Sequence, residues 1–291
     1  MGALGSLPIM PTLTTLTAAE RFDTSNPQFT LDHFEIMAQM REQSPVTFVP
    51  SMGFYAVTRY DDVRAVLGDA ELLASSQAFS GGVHLAPEAT AIFPLSSPFF
   101  ALNLINVDKP IHKRLRDPLM AAFHIKRIQA LTPTVIADIE DLLDSITLSA
   151  MCEGDLTNLR TDLRASLCKP LPLRTICRLM GVPIEDAEKL SGWSDALIAF
   201  QTPGLPLEVQ IGAAHGLGEL EDYVRALIVE KTAHPDEGLV SALIAGREAG
   251  ENDLTDDELV ADIGITFFAG HETTVGTLAN AFQSLLENPD Q

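Results

Sequence analysis

Apolar positions recur with a helical period in the last part of the sequence. Thr255 and Glu258 have the spacing of a capping box, which indicates a helix start at this point. Pro289 follows the last periodic positions and is typical of a helix end. The pattern therefore predicts one helix from Thr255 to Glu287, about 50 Å long at 1.5 Å per residue.

The apolar pattern of this helix is interrupted by a run of small, acidic and hydroxyl residues. The run is Ala269-Gly270-His271-Glu272-Thr273-Thr274. Glycine inside a helix costs about 1 kcal/mol relative to alanine. A buried carboxylate costs several kcal/mol unless it is paired. Such costs indicate a site where a ligand lies against the helix backbone and where protons move.

Three interpretations of this helix compete. A membrane span is disfavoured because Asp262, His271 and Glu272 interrupt the apolar run. A zinc-protease helix of the H-E-x-x-H type needs a second histidine at position 275, where this chain has Val275. The third interpretation is the oxygen-activating helix of a heme monooxygenase, and it depends on a family resemblance.

The interrupting run matches every constrained position of [AG]-G-x-[DE]-T-[ST], and so resembles the central helix of the cytochrome P450 family. The segment Asp108–Arg116 resembles the family's D-x-P-x-H-x-x-x-R pattern. A helix that starts at Pro110 places His112 and Arg116 on one face. The resemblance implies that these two side chains bind the heme propionates. The alternative is a solvated basic helix face.

Two further stretches support the resemblance. Residues 54–67 look like the family's early strand that runs into a short helix, and residues 46–49 with 54–58 predict a hairpin. Residues 170–183 look like a helix that ends at a Gly-Val-Pro turn, where Gly181 suits the position after the last helical residue. The resemblance runs from about residue 20 to the last residue. It implies a mainly α fold with a small β-sheet (α+β), the cytochrome P450 fold.

The resemblance also implies a function and a site. The function is insertion of one atom of O2 into a hydrophobic organic substrate, with heme b (iron protoporphyrin IX) as the cofactor. The expected catalytic residues are Glu272 and Thr273. Cofactor binding is expected at His112, Arg116, Ala269 and Gly270, and substrate binding at Ile265 and Phe268. For Thr273 the alternative is a hydroxyl that only bonds to the preceding helical turn, and His271 is expected to be structural.

The chain departs from the family pattern in one respect. An E-x-x-R helix and the F-x-x-G-x-x-x-C-x-G loop, whose thiolate binds iron, are absent from the 291 residues. Cys152, Cys168 and Cys177 do not lie in such a loop. We therefore expect a disordered lead over residues 1–20 and one incomplete domain over 21–291, inactive alone. The alternative is a truncated, non-catalytic helical binding protein that lacks the iron-ligating cysteine.

Charge and cysteine content limit the partners and the compartment. The net charge of −21 disfavours binding to nucleic acid and to anionic membranes. Three cysteines without a C-x-x-C pair, and the absence of a positively charged segment before Arg21, favour a cytoplasmic protein.

Two segments bear on the partners of the expected enzyme. Basic residues are concentrated between Asp108 and Arg127, and this segment predicts a docking site for a ferredoxin-type electron donor. The alternative is that these charges only offset the propionates and neighbouring acids. Residues 80–105 look like a variable lid loop whose apolar side chains favour a hydrophobic substrate; simple loop packing is the alternative.

Overall fold

The computed structural model describes residues 16–69, 71, 74–76, 85–152, 161–202 and 204–291. The chain divides into two compact units, with the boundary between Ala74 and Ser75. The boundary expected from the sequence, a lead over residues 1–20 and one incomplete domain over 21–291, stays a prediction. Each unit has its own cluster of buried apolar side chains, which explains the division. Residues 1–15 of the expected disordered lead lie outside the described residues, and Ala18 already belongs to a helix.

The first unit contains short helices and a hairpin. Its elements are α1 (Ala18–Arg21), α2 (Pro27–Gln43), β1 (Val46–Val49), β2 (Phe54–Val57) and α3 (Tyr60–Gly68). The strands pair antiparallel, with Val46 opposite Val57 and Val49 opposite Phe54. Ile36 and Met40 of α2 pack with Val49 in the core of this unit. The predicted hairpin and the helix that follows it are confirmed.

The regular elements of the second unit are all helices within its described residues, and loops connect them. In chain order its elements are α4 (Pro87–Ile92), α5 (Pro98–Ala101), α6 (Ile111–Ala122), α7 (Ile125–Ala130), α8 (Thr132–Cys152), a π-helical turn (Arg164–Cys168), α9 (Pro170–Met180), a 3-10 turn (Ile184–Asp186), α10 (Ala187–Gln201), α11 (Leu207–Ala233), α12 (Leu239–Glu248) and α13 (Asp256–Glu287). The prediction of a mainly α fold with a small β-sheet is confirmed.

The long helix α13 forms the centre of the second unit. It begins at the predicted capping box, in which Glu258 N–H donates to the Thr255 hydroxyl at 3.2 Å and Thr255 N–H donates to the Glu258 carboxylate at 2.9 Å. Residues 258–267 are buried, and α5, α9 and α11 pack around the helix. The predicted helix bounds are therefore confirmed to within one residue.

Helix α9 ends at the predicted turn. Gly181 has a φ of +80°, which lies in the left-handed region that favours glycine. Val182 N–H donates to the Cys177 carbonyl at 2.8 Å and closes the last turn of the helix.

None of the helices in the described ranges combines the length and the apolar content that a membrane crossing requires.

Candidate functional site

The motif of α13 divides its residues between a buried and an exposed side. Ala269, Gly270 and Thr273 are exposed, together with Thr274 one position further along. His271 is fully buried. A helix advances about 100° per residue, so the small residues and the hydroxyls share one side while the histidine points into the core. The structure therefore presents a surface of small and hydroxyl residues, called here the motif face and defined as Ala269, Gly270, Thr273 and Thr274.

The Thr273 hydroxyl bonds to its own helix. Its Oγ1 donates to the Ala269 carbonyl at 3.1 Å, and Thr277 makes the same bond to the Thr273 carbonyl at 2.8 Å. This bond is the one expected if the Thr273 hydroxyl only bonds to the preceding helical turn. A hydroxyl oxygen has two lone pairs, so Thr273 still has acceptor capacity on its exposed side.

Gly270 has a packing role that sequence reasoning missed. A Cβ atom at this position would lie 2.8 Å from Cγ1 of Ile176 in α9 and still closer to its Cδ1. The glycine thus lets α9 approach α13 closely. Gly270 is also exposed, and the approach of a ligand remains a prediction for that exposed side.

Glu272 and His271 are adjacent in space as well as in sequence. His271 Nδ1 lies 2.7 Å from the Phe267 carbonyl oxygen, a distance at which a protonated Nδ1 donates a hydrogen bond. His271 Nε2 lies 3.3 Å from Glu272 Oε1, although the angles are outside hydrogen-bond geometry and Nε2 has no hydrogen-bond partner. The Glu272 side chain is 23% exposed and so stands between the core and the motif face.

The expected substrate residues differ in their burial. Ile265 is 4% exposed and lies in the main core. Phe268 is partly buried and packs against that core. In this structure Ile265 is enclosed by core side chains, so contact with a substrate requires a neighbouring side chain to move.

The aromatic residues of the expected lid loop are packed in the core. Residues 80–84 lie outside the described residues. Phe100 stacks on Phe200 of α10 with ring centroids 5.5 Å apart, and Phe93 contacts both rings edge-on. Phe99 approaches α13, where a Cβ on Gly264 would lie 3.0 Å from its ring. The described part of the loop therefore fits the alternative interpretation, simple packing.

Helix α6 presents its charged side chains in two directions. His112 is half-buried and Arg116 is exposed, one helical turn apart. Arg116 forms no hydrogen bond or ion pair with another described residue. Arg114, between them, points toward α13, where it donates to Glu258 and also to Asp253 at 3.2 Å.

A carboxyl group that sequence reasoning did not single out lies one turn beyond Glu258. Asp262 is 1% exposed and neither carboxyl oxygen has a hydrogen-bond partner. Burial, and to a smaller extent the negative charge of Glu258, raise the pKa of Asp262 to about 8, although the positive charge of Arg114 lowers it. The hydrogen bond from Arg114 lowers the pKa of Glu258. The polar character of Asp262 at an otherwise apolar position was the available sequence signal.

These residues fit a heme group in some respects and not in others. An exposed, unpaired guanidinium at Arg116 suits a carboxylate ligand such as a propionate. The small side chains at 269 and 270 leave the motif face open for a flat ligand. The two cysteines whose side chains the structure describes do not supply an iron ligand. Cys168 and Cys177 are buried, and burial raises the pKa of both thiols, that of Cys177 to about 12.

The fold is mainly helical, and its long helix α13 exposes the small and hydroxyl residues of the motif face. The family model described as Cytochrome P450 matches residues 207–291. Over this region the chain is similar to the cytochrome P450 family. The cofactor of this family is heme b.

Two proteins similar to this chain come from bacteria. It is 29% identical to vitamin D(3) 25-hydroxylase of Pseudonocardia autotrophica over 95% of its own length and 63% of the relative's. It is 32% identical to the cytochrome P450 monooxygenase PikC of Streptomyces venezuelae over 90% of its length and 58% of the relative's. The chain thus spans about 60% of these curated relatives.

Solved structures agree with these relatives. The structure of cytochrome P450 CREJ in complex with (4-ethylphenyl) dihydrogen phosphate superposes with a TM-score of 0.79 at 29% identity, over 94% of this chain and 64% of that chain. The heme domain of CYP116B5 from Acinetobacter radioresistens gives a TM-score of 0.75 at 26% identity, over 94% and 66% of the two chains. The predicted fold family is therefore confirmed.

Proposed function

We propose that this chain is the part of a heme-dependent monooxygenase that forms the oxygen-binding side of the heme site. The enzyme inserts one atom of O2 into a hydrophobic organic substrate. The observation that supports the proposal best is the motif face, which is exposed on a helix whose preceding turns are buried. A packed helix has no structural need to expose glycine and two threonines beside an acidic side chain. The cytoplasmic location expected from the sequence is part of the same proposal.

The proposed roles follow from the positions of the side chains. Arg116 and His112 hold the heme carboxylates, because Arg116 is a free cation and His112 lies one turn away on the same face. Ala269 and Gly270 keep the helix surface flat where the cofactor approaches. When bound, the heme supplies the electron-transfer and oxygen chemistry, and the protein supplies position and protons.

Two side chains of α13 are proposed to handle the protons. Thr273 Oγ1, which donates to Ala269, accepts a hydrogen bond from a water molecule on its exposed side and so fixes the position of that water. Glu272, partly exposed, exchanges protons between solvent and this water. Ile265 and Phe268 are proposed to form the apolar floor of the substrate site.

The electron donor is proposed to be an acidic, ferredoxin-type protein that binds the basic segment between Asp108 and Arg127. Some basic side chains of this segment already have partners within the chain. Lys113 pairs with Asp117, and Arg127 donates to backbone carbonyls, at 3.0 Å in the case of Glu237. The basic side chains of the segment that have no partner among the described residues are Lys109, Arg116 and Lys126.

Charge reversal tests the donor proposal in the heme-containing product of the complete open reading frame. Lys109→Glu with Lys126→Glu is expected to slow electron transfer at low salt and to have a smaller effect at high salt, because exposed charges are screened. Lys113→Glu is the comparison, since that lysine is already neutralised by Asp117. Equal rates for the double variant and the unchanged protein at low salt would reject the docking site.

Heme uptake tests the main proposal. The product of the complete reading frame is expected to bind hemin with a Soret band, and its ferrous CO complex to show the red shift of thiolate ligation. Arg116→Ala is expected to weaken hemin binding about tenfold, the loss of one charge-assisted contact. Lys126→Ala, which removes another exposed cation, serves as the matched control. Absence of a Soret band would contradict the proposal.

A second function is favoured by the burial of Cys168 and Cys177. We propose as the alternative a non-catalytic helical binding protein, because neither buried thiol is placed to bind iron. The nucleotide sequence that follows codon 291 separates the two functions. An open frame that encodes the E-x-x-R helix and the cysteine loop supports the enzyme, and a stop codon supports the binding protein.

A further inference from the structure

The contact between His271 and Glu272 is unusual for neighbours in a helix. Successive side chains of an α-helix diverge by about 100° and do not normally face each other. Here Nε2 of the fully buried His271 lies 3.3 Å from Oε1 of Glu272. Within the described ranges, Glu272 is the only carboxylate within ion-pair distance of this imidazole.

The ring of His271 is fixed by its other nitrogen. Nδ1 lies 2.7 Å from the Phe267 carbonyl, one turn earlier in α13. A carbonyl oxygen only accepts, so Nδ1 carries a proton and Nε2 faces Glu272. This assignment of the proton follows from the partner and is the usual way in which one imidazole nitrogen determines the state of the other.

The buried Nε2 requires a partner. It has no hydrogen bond in the structure, and an unpaired buried polar atom destabilises the fold. A hydrogen bond between Nε2 and the facing carboxyl group of Glu272 would supply this partner, and it can form in either of two ways. Protonated Nε2 donates to the carboxylate, or the protonated carboxyl group donates to Nε2. In both cases the two side chains share one proton.

We propose that His271 is a positioning residue for Glu272: its buried Nε2 shares a proton with the carboxyl group and holds it at the edge of the motif face. The imidazole does not touch substrate or cofactor. It fixes where Glu272 stands and keeps a proton beside Thr273. This inference rests on the proposed function of Glu272 as the proton carrier.

Nitrogen NMR of the chain itself tests the contact without any catalytic readout. The chemical shifts of Nδ1 and Nε2 of His271 are recorded at one fixed pH. Glu272→Gln is expected to move the Nε2 resonance, because an amide replaces the carboxyl group that shares the proton. Glu287→Gln, a carboxylate four turns away on the same helix, should leave both resonances unchanged. An Nε2 resonance of His271 that is identical in Glu272→Gln and in the unchanged chain would overturn the proposal.

A pair of substitutions tests the positioning role in the holoenzyme. Asparagine places its amide near the Nδ1 position and so retains the contact with Phe267, whereas glutamine places its amide near Nε2 and so retains a donor for Glu272. We expect His271→Asn to shift the pH profile of turnover and to lower the product formed per electron pair several-fold. His271→Gln should restore most of both. Equal behaviour of the two variants, both folded, would show a purely structural histidine.

The two tests separate this inference from the proposed function. An Nε2 resonance of His271 that responds to Glu272→Gln, in a protein that takes up no heme, supports the contact and rejects the enzyme. An active enzyme with an uncoupled histidine supports the enzyme and rejects the contact.

Discussion

Arg114 of α6 donates to both carboxylate oxygens of Glu258 in α13, with Nη1 at 3.2 Å from Oε2 and Nη2 on Oε1. The Glu258 side chain is only 7% exposed and also accepts from Thr255 N–H in the capping box. One carboxylate therefore closes the start of the central helix and ties it to the helix that carries His112 and Arg116. The ion pair links the expected propionate ligands to the motif helix.

Removal of Arg114 is expected to destabilise the second unit. Arg114→Ala leaves Glu258 buried without a cation, and we expect a loss of about 2 kcal/mol, below the range for fully buried pairs because Arg114 is 38% exposed. The free energy of unfolding in urea gives this quantity. Arg247→Ala breaks a more exposed pair with Asp256 and should cost less than about 1 kcal/mol. Equal losses of unfolding free energy for both variants would show that the Arg114–Glu258 pair stabilises the fold no more than an exposed ion pair does.

Asp262 predicts a pH dependence of stability. Its pKa is about 8 in the folded chain, raised first by burial and then by Glu258, against about 3.9 in an unfolded chain. Between these values the folded state holds a proton that the unfolded state has lost. The contribution of Asp262 to stability is therefore fully present below about pH 4 and decreases as the pH rises to about 8. The full difference is on the order of 5 kcal/mol, an upper bound.

Substitution of Asp262 isolates this contribution. Urea unfolding at about pH 5 and about pH 8 should show a larger loss of stability for the unchanged chain than for Asp262→Asn over the same interval. Glu248→Gln removes an exposed carboxylate and serves as the control. If Asp262→Asn loses as much stability as the unchanged chain, Asp262 is already ionised in the fold and the prediction is wrong.

Elements with local signals were predictable from the sequence. The start of α13 follows from Thr255 and Glu258, three residues apart, and the end of α9 follows from Gly181. In both cases the residues that decide the structure are neighbours in the chain. The position of His112 and Arg116 on one face of α6 was predictable for the same reason, because the two residues are one helical turn apart. Their role in cofactor binding stays a prediction.

Contacts between distant parts of the chain were not predictable in this way. Arg114 and Glu258 are separated by 144 positions, and no local pattern pairs them. The division of the motif into exposed Thr273 and buried His271 depends on which helices pack around α13. The same holds for Gly270, whose need for a hydrogen side chain comes from Ile176 of α9.

The contact between Gly270 and Ile176 gives a test of packing. In Gly270→Ala the new Cβ would lie 2.8 Å from Ile176 Cγ1, so we expect a loss of about 1–3 kcal/mol in the free energy of unfolding. Gly276→Ala is the matched control, because a Cβ there meets nothing within 4 Å and alanine should stabilise the helix by up to about 1 kcal/mol. Ile176→Ala should cost less stability in the Gly270→Ala background than in the unchanged chain, because the smaller side chain removes the clash. Strict additivity would contradict the contact.

Thr273 and Thr277 make the same hydroxyl-to-carbonyl hydrogen bond one turn apart, at 3.1 and 2.8 Å. Thr277 is therefore a matched control that separates a chemical role of Thr273 from a structural one. Both threonines are exposed, so alanine at either position should change the free energy of unfolding by less than about 0.5 kcal/mol. In the holoenzyme, Thr273→Ala is expected to lower the product formed per electron pair roughly tenfold, with the electrons recovered as hydrogen peroxide, because the water next to the cofactor loses its fixed partner. Thr277→Ala should stay coupled, and Thr273→Ser should recover most of the yield. Full coupling in Thr273→Ala, or the same loss in Thr277→Ala, would mean that the hydroxyl of Thr273 only stabilises its own helix.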